Sequence, residues 1–296
     1  MKKILLCAFL TVFAIFCLAS CGSDKIGDSL EWTLDGSKLV ISGTGDMYDW
    51  EESNSPWYNN EAIKEVVVES GVTSIGNNAF ESCWYIESVT IADSVTRIGD
   101  AAFVSCESLT SITLPDSVTT IGNSAFASCI RLNEVNLSKN TSYIGSDAFY
   151  RCRKLTELYI PEGITKLEPN TFANTALESI IIPEGVTEIG DYALFNCDSL
   201  QSVVLPNSLT KIGEGVFCQC FDLVNTAIPS GVTYIGNYAF SKCRDLSGVT
   251  IPAGVTYVGT GAFVDWRDYQ TIRIVGETSG WATDWNKVCE ANIVFG

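Results

Sequence analysis

The 296-residue chain contains no histidine. That absence removes the usual general base, the usual activator of a nucleophile and the commonest metal ligand together. Carboxylate pairs and Ser-Lys chemistry stay open in principle, but no acid and base pair stands out from the sequence. The expectation is therefore no enzyme activity, no cofactor and no metal. Basic residues are scarce too: 18 Lys and Arg stand against 35 Asp and Glu, a formal charge of −17. So acidic a surface repels phosphate backbones, which argues against a nucleic-acid partner. Its plainer effect is solubility. With 46% hydrophobic and 18% charged residues, the chain is expected to fold rather than stay disordered.

What is present begins at the N-terminus. Lys2 and Lys3 precede an apolar run from Ile4 to Ala19, the layout of a secretory signal. At about 16 residues the run is short for a permanent span, which needs about 20. It ends in Leu18-Ala19-Ser20-Cys21-Gly22, which resembles the bacterial lipobox. The resemblance implies cleavage before Cys21, lipidation of that cysteine, and export in a prokaryote. The alternative is an ordinary signal with a coincidental cysteine. On this reading residues 1–20 are a signal peptide and 21–28 a short polar tether. The membrane is then touched only through the anchor, where each buried CH₂ contributes about 0.8 kcal/mol.

Past the tether the chain repeats itself. Phe80, Phe103, Phe126, Phe149 and Phe172 recur at one spacing, and Leu194, Phe217, Phe240 and Phe263 continue the column. A cysteine follows three residues later in most rungs: Cys83, Cys106, Cys129, Cys152, Cys197, Cys220 and Cys243. An Ile-Gly pair precedes the aromatic, as in Ile98-Gly99 and Ile121-Gly122. Nine rungs of about 23 residues fill 63–264, between an N-terminal cap at 29–62 and a C-terminal cap at 265–296.

Each rung has readable physics. A short alternating segment such as Ile112-Thr113-Leu114 predicts a strand with its outer pair facing the core. Proline often ends it, at 115, 161, 183, 206, 229 and 252, where the missing N–H breaks the ladder. A second extended piece leads to the glycine, which is expected to permit a tight turn. The next residue is Asn77, Asp100, Asn123, Ser146, Asp191, Asn237 or Thr260 in most rungs, side chains suited to cap a short helical turn. No rung can bury its own apolar face, so stability must come from stacking. At about 4.8 Å per rung the stack is roughly 40 Å long.

The run from Leu109 to Cys129 resembles the BspA-like leucine-rich repeats, and the resemblance covers about residues 30 to 296. It implies a repeat solenoid, mainly β with short helical turns, of right-handed stacked rungs. Trp32, Trp50, Trp57, Trp266, Trp281 and Trp285 lie in or beside the flanks and are expected to cover the open ends. A sugar-stacking role for Trp50 and Trp57 is the alternative. The resemblance also implies a cell-surface protein that binds host proteins, matrix or other bacteria, with no catalytic residues. The sequence departs from the pattern from Leu167 to Leu177: Glu168 replaces the glycine, Pro169 the cap, the cysteine is missing, and the rung is one residue short.

Several columns are candidate sites. The cysteines lack the C-x-x-C pairing of zinc sites, and parallel side chains one rung apart are poorly aimed for disulfides. They read as small buried hydrophobes. The outward column of the first strand runs Thr90, Thr113, Asn136, Tyr159, Ile181, Val204, Ala227, Thr250, Arg273. Its apolar stretch, Tyr159, Ile181, Val204 and Ala227, is bordered by Asn136 and by Glu134 and Glu157 of the neighbouring column. An apolar strip with a polar rim is how a protein-binding patch is built. Strands also tolerate β-branched residues on either face, which is the plainer reading. Tyr143, Tyr234 and Tyr257 form a sparser third column. Asp46, Asp49, Glu51 and Glu52 lack the ligand order of an EF-hand and read as a solvated loop. The expected function is noncatalytic recognition of an extracellular protein or matrix component. A glycan-binding module, using Tyr159, and a structural envelope protein are the alternatives.

Overall fold

The computed structural model describes residues 25–296. Cys21 and the expected signal peptide before it lie outside the described residues. The chain winds into a mainly β solenoid of about 11 turns of roughly 23 residues. Each turn stacks on the one before in register, so residues 23 apart become neighbours. Three ladders of hydrogen bonds run along the stack.

The first ladder is made by the alternating segments. Glu65–Val68 pairs in parallel with Ser88–Ile91, and Ser111–Thr113 with Glu134–Asn136. Ile112 and Leu114 face inward and are buried, while Thr113 between them is exposed. The second ladder joins the segments before the glycines: Val72–Ile75, Arg97–Ile98, Thr120–Ile121 and Tyr143–Ile144 form one parallel run. Ile75, Ile98, Ile121 and Ile144 supply its buried side.

The third ladder corrects the sequence reading. No helix occurs among the described residues. The segment after each glycine alternates right- and left-handed residues, with Asn78, Ser82, Ala101, Ser105, Ser124 and Ser128 all at φ between 51° and 60°. Alternation turns every second N–H towards the next rung. Asn78, Phe80 and Ser82 donate to the carbonyls of Asp100, Ala102 and Val104 at 2.7–2.8 Å. A helix would have kept those donors to itself.

The expected helix caps change role accordingly. The Asn77 side chain accepts the N–H of Asp100, Asp100 that of Asn123, and Asn123 that of Ser146, at 2.7–3.0 Å. These side chains tie rung to rung. The glycine before them does not serve a left-handed turn. A Cβ on Gly122 would lie 2.5 Å from the Asp100 nitrogen, and one on Gly145 2.6 Å from that of Asn123. The glycine column is there so that successive backbones can approach.

The core is a pile of rings. Trp57, Phe80, Phe103, Phe126, Phe149 and Phe172 stack with centroids 5.1–5.7 Å apart. Leu194 interrupts the pile, and Phe217, Phe240 and Phe263 resume it. At the front end the antiparallel hairpin Leu30–Asp35 and Lys38–Gly43 closes the stack, with Trp32 and Trp50 against Trp57. Trp57 is buried and its indole N–H donates to the Ala79 carbonyl, so its face is not free for a sugar. At the far end Trp266 and Trp285 meet Phe263 edge-on, and Asn292–Phe295 pairs with Thr271–Ile274. The packed part begins earlier than the expected tether allows. Ile26 is fully buried and its carbonyl accepts the Tyr48 N–H at 2.8 Å, because its side chain completes the apolar front of the cap.

Candidate recognition face

The two β ladders both stop at one place. Tyr143–Ile144 ends one run of the second ladder, and Lys166–Leu167 begins another that continues to Tyr257–Val258. In the first ladder, residues 157–160 pair neither with Glu134–Asn136 nor with Ser179–Ile181. For the second ladder the irregular rung supplies a cause, whereas the first ladder also parts between Ser88–Ile91 and Ser111–Thr113, where the glycines are regular. At the preceding junction Gly145 N–H donates to Ile121 O, and Ser146 N–H to the Asn123 side chain. At the next junction the corresponding residues are Glu168 and Pro169. Glu168 carries a Cβ where the neighbouring backbone must approach, and Pro169 has no N–H to give. The rungs stand apart on these two faces. The turn ladder holds: Asp147, Phe149 and Arg151 donate to Pro169, Thr171 and Ala173 at 2.9–3.0 Å. Thr175 takes the missing cysteine's place and bonds to the Phe172 carbonyl.

The opening leaves a depression of about 590 Å³ on the first-ladder face. It is lined by Asn133–Asn136, Glu157–Tyr159 and Ser179–Ile181. Five residues singled out in the sequence thus meet there: Glu134, Asn136, Glu157, Tyr159 and Ile181. Val204 sits one rung beyond, in register with Ile181. Tyr159, Ile181 and Val204 are 63%, 68% and 56% exposed, far from the burial such side chains favour. Ala227, also exposed, is not part of this depression. It borders a second one of about 410 Å³ running to Arg273, where the first ladder parts again between Asn225 and Gly248. The inward residue there is Thr226, between Val203 and Val249, and its buried hydroxyl has no partner.

The polar rim is partly organised. The Asn136 amide donates to Glu134 at 3.0 Å and to the Thr113 hydroxyl at 3.3 Å. The Tyr159 hydroxyl donates to Glu162 at 3.4 Å. Glu157 has no ionic or hydrogen-bonded partner among the described residues. Unsatisfied backbone groups of 157–160 lie between these side chains.

The remaining candidates fall elsewhere. The column cysteines are buried free thiols, and each donates to a carbonyl of the previous rung, as Cys106 does to Phe80 at 3.3 Å and Cys129 to Phe103 at 3.2 Å. Burial pushes the Cys129 thiol up to about 12 and that of Cys197 to about 11. Cys218 is only half-buried, whereas Cys220 faces the core. Tyr234 and Tyr257 stack at 4.8 Å on the second-ladder face, with Lys211 over Tyr234. Asp49 is committed to the Asn77 N–H and to Arg97, and Asp46 to Thr73, whose hydroxyl holds the Asp46 carboxyl below its usual range. One column escaped the sequence reading. Thr96, Thr119, Ser142, Thr187, Thr210, Thr233 and Thr256 each donate a hydroxyl to the carbonyl one rung before, at 2.9–3.5 Å. Its signal was the Thr or Ser two residues before the Ile-Gly or Val-Gly pair.

The arrangement can offer shape, apolar contact and carboxylates to a partner. It brings together no acid and base pair, and among the described residues no cluster of metal ligands.

Comparison with known proteins agrees with this architecture. A leucine-rich repeat protein from Eubacterium ventriosum is 24% identical over 91% of this chain and 83% of its own, with a TM-score of 0.56. A leucine rich cell surface protein from Faecalibacterium prausnitzii is 21% identical over 94% and 96%, with a TM-score of 0.42. The T. pallidum leucine rich repeat protein is 22% identical over 68% and 91%, with a TM-score of 0.49. No curated protein matches in sequence. The profile of the BspA type leucine rich repeat region, in six copies, matches residues 53–176 and 165–289. With most of its length so matched, the chain belongs to the BspA-type leucine-rich-repeat family.

Proposed function

We propose that the protein is a noncatalytic surface protein, held to the bacterial envelope by a lipid on Cys21, that recognises an extracellular protein partner. The observation that carries this reading is a coincidence. The exposed apolar strip Tyr159, Ile181 and Val204 runs into the depression beside the irregular rung. A partner side chain entering there meets apolar surface, two carboxylates and free backbone groups. Anchors in pockets contribute most of the affinity at protein interfaces. Exposed Ile and Val at successive rungs have no packing role in the monomer, so a partner is what would bury them. Fold membership supports a surface repeat protein.

The test is capture from extracellular-matrix and co-resident bacterial surface proteins, with wild type beside Ile181→Lys/Val204→Lys. Both residues point outward, so the variant should keep its circular dichroism. A partner bound by wild type and lost by the variant supports this face. A partner kept by both moves the site off it. No protein partner at all would sink the reading in favour of a glycan ligand or a structural envelope role. Anchoring is tested separately: Cys21→Ser should abolish incorporation of a labelled fatty acid and release the protein from membranes.

A further inference from the structure

The acidic chain carries one corner of opposite sign. The turn segments 124–133, 148–156 and 169–177 lie on three successive rungs and contain no Asp or Glu. They hold Arg131, Arg151, Arg153 and Lys154, all exposed. Elsewhere the basic residues are often spent: Lys38, Lys64, Arg97, Lys139, Lys166, Lys211 and Arg267 each sit within 4 Å of a carboxylate. None of the four at this corner does. Arg151 lies 6.0 Å over the Tyr150 ring, a contact that leaves its guanidinium edge free. The turn ladder fixes their register: Ser128 donates to Tyr150 and Arg151 to Ala173. Arg131 and Lys154, each two residues after a column cysteine, are therefore stacked about one rung, ~4.8 Å, apart.

We infer that this corner is a second docking surface, for a sulfated polysaccharide. It is independent of the apolar strip. Four unpaired cations held on rigid turns form a positive patch that a Debye length of about 10 Å leaves visible at moderate salt. Three of the four are arginines, whose forks match sulfate oxygens in pairs. The ligand's width follows from the surroundings. Glu134 and Glu157 border the patch on the first-ladder face and Asp147 lies at its other side. A flat anionic membrane or a duplex would meet those carboxylates and the −17 field behind them. A thin anionic chain spanning only these three rungs meets the cations first, and Glu107 on the rung before and Glu178 just past the last segment limit its length.

The test is chromatography of the purified protein on immobilised heparin at about 50 mM NaCl, where polyanion contacts are strong. Arg131→Glu/Arg153→Glu/Lys154→Glu is compared with Lys25→Glu/Lys242→Glu/Lys287→Glu, which changes net charge equally but elsewhere. Wild type and the control should be retained and elute with salt, and the corner variant should flow through. With up to four contacts, affinity should fall with a log–log salt slope of roughly −3. A neutral variant, Arg131→Gln/Arg153→Gln, should weaken binding roughly tenfold or more with an unchanged melting temperature, which covers the case that the triple variant misfolds. Failure of wild type to bind would overturn the proposal, and so would equal loss in both triple variants. Displacement by single-stranded oligonucleotide at lower concentration than by free heparin would overturn the choice of ligand.

Discussion

The junction between the rungs at Gly122 and Gly145 and the one between those at Gly145 and Glu168 are built from nearly the same parts. Both stack phenylalanines, at 5.5 Å for Phe126–Phe149 and 5.7 Å for Phe149–Phe172. Both keep the turn ladder, with Phe126 donating to Ala148 and Phe149 to Thr171. The first also closes both β ladders, and the second closes neither. For the second ladder two residues differ in the way that matters, a Cβ at Glu168 and a missing donor at Pro169; the first ladder opens between Ile91 and Ser111 without either. A solenoid of this kind is thus held by a core of stacked rings, interrupted at Leu194, and by β ladders that open at some junctions and not at others. The released faces then become available surface.

Breaking the core should cost most. Phe126→Ala, in the closed block, is expected to lose about 3–5 kcal/mol in denaturant titration while unfolding stays cooperative. Phe149→Ala should lose a similar amount and split unfolding into two transitions. There the ring stack and the turn bonds are the main links between blocks, and cooperativity in a stack rests on neighbour contacts. A single transition in Phe149→Ala would mean that other contacts carry the coupling.

The glycine column comes next. Gly122→Ala places a Cβ 2.5 Å from the Asp100 nitrogen, so the backbones must part, at a cost of about 1–3 kcal/mol. The converse sharpens the comparison. Glu168→Gly/Pro169→Asn restores the regular residues and should gain on the order of 1 kcal/mol by adding inter-rung hydrogen bonds. A loss of stability in that variant would show that the open junction is set by the shortened rung rather than by these two residues.

Much of this was legible beforehand because each rung repeats the same neighbours. The Phe, Cys, Ile-Gly and Pro columns name the core and the strands, and the end tryptophans name the caps. The turn was misread because Ala79, Phe80 and Cys83 have spacings that also suit a helix. The residues that adopt left-handed φ, among them Asn78, Ser82, Ser124 and Asp147, are types that tolerate it, a weak signal visible only once the ladder is known. The exposed strip could be placed on a face by alternation alone. The depression could not, since it depends on which neighbouring strands fail to pair, and the repeat columns look alike at open and closed junctions.

The last comparison concerns the thiols. Cys218 and Cys289, half-buried, should react with a thiol reagent in the native state while the buried column stays protected. Burial holds the folded thiols of Cys83 and Cys129 protonated up to about 12, above the ordinary value of 9.0. The unfolded chain then releases protons first, so stability is full below about pH 9 and falls as pH rises towards the folded values. A melting temperature flat from pH 8 to about 11 would contradict that burial.

The most direct test of the open junction is native amide hydrogen exchange resolved along the first ladder. Leu158, Tyr159 and Ile160 should exchange far faster than Ile112 and Leu114 of the closed block, and Glu168→Gly/Pro169→Asn should slow them. Equal protection of the two sets in the wild-type protein would mean that the ladder is closed in solution, and the recognition face would lose its physical basis.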